Sequence, residues 1–199
     1  MPTIYHIDSS ARHEGSHGRT LTKELVAKLK AKTDADVLYR DVSQGLEFLT
    51  PDAIAGLFIP DDQKTEAQKQ ALRLSDQIVR EIQAADIVVM GAPIYNFGPP
   101  ASVKAWADLV ARKDLTFSYT AQGPQGLLKG KKAYVIVTSG GVPVGSPADH
   151  LSPWIKDFLG FIGIKDVTII AADQLVIKEV DTLTRVRSQL QAIGESVPA

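Results

Sequence analysis

The chain has 199 residues and no cysteine. That excludes disulfides, a thiolate nucleophile and thiolate metal ligation. It also lacks an excess of either charge: 22 Lys and Arg stand against 23 Asp and Glu, a net charge of -1. Such a chain has no basic field to draw nucleic acid or an anionic membrane, so neither is expected as a partner. No apolar run approaches the ~18 residues of a membrane span. The amino terminus lacks the basic start and apolar core of a signal peptide. Together these absences predict a soluble, cytoplasmic protein. No repeat, low-complexity tract or domain boundary is visible. A single domain over residues 1–199 is expected, because a chain this long buries roughly 70% of its unfolded surface.

What is present is alternation. Ile4 to Asp8, Val37 to Val42, Ile87 to Ala92, Ala133 to Thr138 and Val167 to Ala172 read as strands. Between them lie helical periodicities: Leu21, Leu25 and Leu29; Leu74, Ile78 and Ile82; Val103, Trp106 and Val110; the stretch Leu151 to Ile162; and finally Leu183, Val186, Leu190 and Ile193. Apolar residues at that spacing share one helix face. Five alternations predict an α/β fold with a parallel sheet and helices on both faces. Five strands favour the flavodoxin-like order 2-1-3-4-5. Two stretches break the pattern. Leu46 to Asp62 carries Phe48, Ile54, Phe58 and Ile59 and is too apolar for a linker; it is expected to pack on a partner subunit or cover a crevice. Lys113 to Lys129 is an excursion with Phe117 and Tyr119.

In open parallel sheets the loops at the carboxyl ends of the strands form the ligand crevice. Three loops have suitable chemistry. After the first strand, Ser9 to Gly18 leads into a helix, whose amino-terminal N–H groups attract phosphate. Ser10, Ser16 and Thr20 add hydroxyls, Gly15 and Gly18 allow close backbone approach, and Arg12, His17 and Arg19 add positive charge. After the third strand, Pro93 to Pro100 offers the rings of Tyr95 and Phe97 and the amide of Asn96, suited to a planar, hydrogen-bonding ring system such as a flavin. Its three prolines are expected to stiffen it. After the fourth strand, Ser139-Gly140-Gly141 offers successive N–H groups, which in a nest conformation bind anions. Phe117, Tyr119 and Phe161 are candidates for an aromatic wall, and Trp106 for packing or an interface.

Other chemistries lack support. His13-Glu14-Gly15-Ser16-His17 matches the zinc pattern H-E-x-x-H, but that pattern needs a helix. Gly15 and Ser16 are poor helix interiors, the segment precedes the helix, and His6 and His150 supply no third ligand at a telling spacing. No metal site is expected. Ser139 is not in a nucleophile elbow, and neither a dinucleotide fingerprint nor a P-loop is present.

Several stretches in order carry a resemblance: Pro93 to Phe97, Lys104 to Ala111, Thr116 to Thr120, Gly123 to Leu127, and Phe158 to Gly163. They are similar to the FMN-dependent NADH-azoreductases, also called FMN-dependent NADH:quinone oxidoreductases. The resemblance spans essentially the whole chain. It implies a flavodoxin-like fold, a homodimer, and one FMN per subunit. NADH or NADPH would be the hydride donor, and quinones or azo compounds the acceptors, taken in turn by a ping-pong scheme. By the same resemblance Ser10, Ser16, His17 and Gly18 hold the FMN phosphate. Ile94, Tyr95, Asn96 and Phe97 lie along the isoalloxazine, and Ser139, Gly140 and Gly141 face its pyrimidine side. Phe97, Tyr119 and Phe161 would stack flat substrates, with no obligatory protein acid or base, because the flavin does the chemistry. The chain departs from the family in three places. Gly18 stands where a second serine is usual, the turn after Ser139 lacks an arginine and one residue, and Ile94 replaces a common methionine. Alternatives are an FMN-binding electron carrier without small-substrate turnover, an FAD-using diaphorase-type reductase, and a doubly wound domain without flavin.

Overall fold

The computed structural model describes residues 1–197; the expected domain runs two residues further. Five strands form one parallel sheet: β1 (Thr3–Asp8), β2 (Asp36–Asp41), β3 (Ile87–Pro93), β6 (Lys132–Thr138) and β7 (Asp166–Ala172), in the spatial order β2-β1-β3-β6-β7. The expected five-stranded parallel sheet is therefore present. The excursion after Lys113 adds two further strands, β4 (Phe117–Thr120) and β5 (Gly123–Gly126), paired as a separate antiparallel hairpin. Register brings the carboxyl ends level: Asp8 lies beside Gly91 and Asp41, and Pro93 beside Thr138. Loops leaving β1, β3 and β6 therefore start from one edge.

Strands β3 and β6 are buried almost throughout, as expected of strands covered on both sides. Helices α1 (His17–Thr33) and α6 (Leu175–Ser196) cover one face. There Leu21, Leu25, Leu29, Val186 and Leu190 pack on Ile4, Val89 and Ile136. Helices α3 (Glu66–Ala84), α4 (Ala101–Val110) and α5 (Ser152–Ile162) cover the other, where Ile78, Ile82, Val103, Trp106, Ile155 and Leu159 pack on Tyr5, Ile7, Val88 and Met90. Trp106 is fully buried against Phe158, so it is a core residue.

Local signals fix the helix starts. Thr65 and Gln68 form a reciprocal capping box at α3, each satisfying an orphan donor of the other. Pro51 opens α2 (Pro51–Gly56), with Thr50 as its cap. This short helix lies in the apolar stretch that broke the pattern, and it packs on α3. Phe48, Ile54 and Phe58 nevertheless remain exposed, at 74%, 45% and 69%. At its root the hairpin meets the end of α5 backbone to backbone. A Cβ on Gly126 would fall inside Gly163, and one on Gly163 would come within 2.7 Å of the Leu128 nitrogen.

Candidate functional site

Ser16 is the N-cap of α1; its Oγ accepts from the Arg19 N–H at 3.4 Å. Using the oxygen as acceptor leaves the hydroxyl proton free for another partner. The first intrahelical bond runs from the Thr20 N–H to the Ser16 carbonyl. The N–H groups of His17 and Gly18 lie ahead of it, among the orphan donors of a helix start. Both residues line a cavity of about 410 Å³, within the usual range for small-ligand sites.

That cavity draws on three loops at the sheet edge. Ser10, Arg12, Ser16, His17 and Gly18 come from the first, Pro93, Ile94 and Tyr95 from the second, and Thr138, Ser139 and Gly140 from the third. The Tyr95 hydroxyl accepts from the Ala11 N–H at 3.2 Å, tying the first two loops together. The start of α6 closes the far side with Leu175, Val176 and Glu179. Leu175 and Val176 donate to the carbonyls of Ser139 and Gly140 at 3.0 Å each. Asn96, Phe97 and Gly141 follow lining residues in the chain but are outside the lining. A cavity of about 500 Å³ where α3 and α4 finish is lined in part by paired charges, Arg112 with Asp76 and Lys64 with Asp61.

The loop after β3 is stiff, but proline is not the main reason. Tyr95 and Gly98 exchange both backbone hydrogen bonds, at 3.0 and 3.1 Å. Asn96 and Phe97 between them have φ of +48° and +72°. Two consecutive residues in the left-handed region make a type I′ turn. Asn tolerates that region; an aromatic there is strained by roughly 1–3 kcal/mol. The turn holds Phe97 out at 56% exposure.

The three cations of the first loop have different fates. Arg19 turns inward. Its Nε and Nη2 reach the Ser10 carbonyl at 3.3 and 2.8 Å, Nη2 also meets Ser43, and Nη1 lies 2.9 Å from Asp41 and 3.8 Å from Asp8. The Asp41 bond raises the basicity of Arg19. Burial pushes the Asp41 carboxyl up, but bonds from Arg19 and Ser43 outweigh it and hold the group below the usual carboxylate range. Asp8, 4% exposed, also accepts from Thr22 at 2.8 Å. His6 Nε2 lies 3.4 Å from it without hydrogen-bond geometry. His17 faces Glu179 at 3.4 Å. Arg12 lines the cavity, and among the described residues only its backbone enters hydrogen bonds, both with Ser10. The expected charge of Arg19 is therefore not delivered to the crevice. Nor do the H-E-x-x-H histidines converge, since His13 sits against Gln44, at 2.9 Å, and Ser43.

The turn after β6 also differs from expectation. Neither Gly140 nor Gly141 takes positive φ, so the concave nest does not form. The Ser139 N–H is bonded to Ala172 and its hydroxyl to Val142. Tyr119 and Phe161 lie outside the crevice, each packed on Phe117, with ring centroids 5.4 and 4.6 Å away.

A model of the flavodoxin-like fold family matches residues 2–196. An FMN-dependent NADH:quinone oxidoreductase of Hahella chejuensis is 48% identical over 197 residues, 98% of this chain and 97% of its own. The chain belongs to the FMN-dependent NADH:quinone oxidoreductases. Another member, from Pelagibacter ubique, is 43% identical over 96% of this chain and 98% of its own. Among solved structures, an azoreductase of Bacillus anthracis superposes with TM-score 0.86 at 23% identity, covering 98% of both chains. A second from that organism, an FMN-dependent NADH-azoreductase in complex with FMN, gives 0.87 at 18% over 98% of each. At that identity these two establish the fold alone. Against this family's expected site, sequence reasoning missed Thr138, Leu175, Val176 and Glu179 of the lining. The available signal was Leu175-Val176-Ile177, an apolar run two residues after the last strand.

Proposed function

We propose that this protein is an FMN-dependent oxidoreductase that passes electrons from NADH to quinones and azo compounds. The observation that carries the reading is the convergence of the loops after β1, β3 and β6 on one crevice, with helix-start N–H groups at one end and an apolar and aromatic wall at the other. Bound there, FMN would accept hydride from the donor and deliver two electrons to the acceptor. The chain's residues bind and orient. The N–H groups of His17 and Gly18, with the hydroxyls of Ser10 and Ser16, take the phosphate. Ile94, Tyr95, Asn96 and Phe97 lie along the ring, and Ser139, Gly140 and Gly141 border its pyrimidine side. The helix dipole of α1 favours the same negative group.

Phe97, held outward by its turn, stacks the flat substrate. Tyr119 and Phe161 stand outside their own chain's crevice, so the stacking role assigns them to the crevice of a second copy. A homodimer also accounts for exposed Phe48, Ile54 and Phe58, because large apolar patches mark interfaces. The single domain and the order 2-1-3-4-5, counting main-sheet strands alone, complete the reading. A cytoplasmic setting suits a donor that is an intracellular reductant. Donor and acceptor use one site in turn, since no second nucleotide motif is present.

The test is an absorbance spectrum of the purified protein with FMN, followed by anaerobic NADH. Flavin bands should bleach with NADH and return with benzoquinone, and initial-rate plots should be parallel. A protein that retains no FMN sinks the reading, and intersecting plots sink the shared site. Elution as a monomer at micromolar concentration sinks the dimer.

A further inference from the structure

We propose that Arg12 is the residue that neutralises the cofactor phosphate; this rests on the FMN reading above. A phosphate monoester near neutral pH carries between one and two negative charges. The donors already placed at that end of the crevice, two N–H groups and the Ser10 and Ser16 hydroxyls, are neutral. Of the formally charged groups near them, Arg19 is bound to Asp41, Asp8 and the Ser10 carbonyl. His17 is shared with the Glu179 carboxylate, itself in the crevice lining. Without a further cation the site would present a carboxylate and no committed positive charge to a phosphate.

Arg12 resolves this. It lines the same cavity, two residues from Ser10 and four from Ser16, and its guanidinium has no ion pair among the described residues. Its backbone N–H bonds the Ser10 hydroxyl oxygen at 3.3 Å and so anchors its position beside the donors. A guanidinium offers a planar fork that matches two phosphate oxygens at once. The Arg19 clamp on the Ser10 carbonyl, at 2.8 Å, fixes the backbone from which Arg12 extends. Arg19 is thus a positioning residue and Arg12 a ligand.

Riboflavin, which is FMN without the phosphate, separates this role from every other. The flavin-free full-length protein and its Arg12→Gln, Arg12→Lys and Arg19→Gln variants are titrated with FMN and with riboflavin at low and high salt. Thermal melts check folding. Arg12→Gln should weaken FMN about tenfold or more, leave riboflavin within twofold, and flatten the salt dependence of FMN binding. Arg12→Lys should recover part of the loss. Arg19→Gln should keep a salt dependence while lowering the melting temperature. FMN binding by Arg12→Gln equal to wild type overturns the assignment, as does an equal loss of FMN and riboflavin. A defect confined to the KM for NADPH also overturns it, placing Arg12 on the donor instead. Wild-type protein that binds neither flavin overturns the proposed function itself.

Discussion

The two ends of the crevice are held by different forces. At the end proposed for the phosphate the loop after β1 is fixed by side chains: Arg19 joins the Ser10 carbonyl to Asp41, Asp8 and Ser43, and so to the end of β2. At the end proposed for the ring the loop after β3 is fixed by backbone: a two-residue turn with Asn96 and Phe97 at positive φ. The first arrangement depends on charge and responds to pH. The second depends on sterics and does not. An anion site tolerates a charged scaffold beneath it, whereas a flat ring needs a surface whose shape does not vary with ionisation.

The comparison is broken most severely at Arg19. Arg19→Met leaves Asp8 buried and Asp41 half-buried without their cation, and unfolding in urea should show a loss of about 3 kcal/mol, at the low end for a broken buried pair. The same clamp predicts acid sensitivity. Asp41 has a folded-state pKa below its ordinary 3.8. Its contribution is therefore fully present above that ordinary value and is lost as pH falls through the lower folded one. Stability curves of wild type and Arg19→Met should converge below about pH 4; curves that stay parallel would deny the clamp.

Ser16→Ala removes the hydroxyl proposed for the anion and the cap from α1. FMN affinity should fall ten- to a hundredfold, about 1.5–3 kcal/mol for a hydrogen bond to a charged group. Titration with FMN and riboflavin shows whether the loss follows the phosphate. The smallest effect is expected at the other end. Phe97→Gly relieves the left-handed strain at some entropic cost, so the fold should gain up to about 1 kcal/mol, while the KM for a quinone rises. A destabilised Phe97→Gly protein would show that the turn is not strained as described.

How much of this was legible beforehand follows the same division. The sheet could be read because buried parallel strands leave unbroken apolar runs, as in Val88, Val89 and Met90. Ser16 could be read because a cap has a composition. The destination of Arg19 could not, since nothing local says that Asp41 and Ser43, more than twenty residues on, will meet its guanidinium. Proline suggested a stiff loop after β3, and stiffness was found; its cause, a pair of positive φ angles across Asn96 and Phe97, has Asn96 as its one mark, because the second position carries an aromatic where glycine would have been diagnostic. The start of α6 was missed because a helix from the last strand was read only through its buried stripe, Leu183 to Ile193, and not through its exposed first turn.

The backbone seam between Gly126 and Gly163, with Phe117 packed on Phe161 beside it, makes the hairpin an outrigger bolted to the body at its root. Its root admits no redesign, yet its tip, Thr120 to Gly123, projects freely with Ala121 and Gln122 exposed. Lengthening or recolouring that tip should change what the arm touches without disturbing the sheet, so this is the place to graft a new acceptor preference onto an otherwise fixed frame.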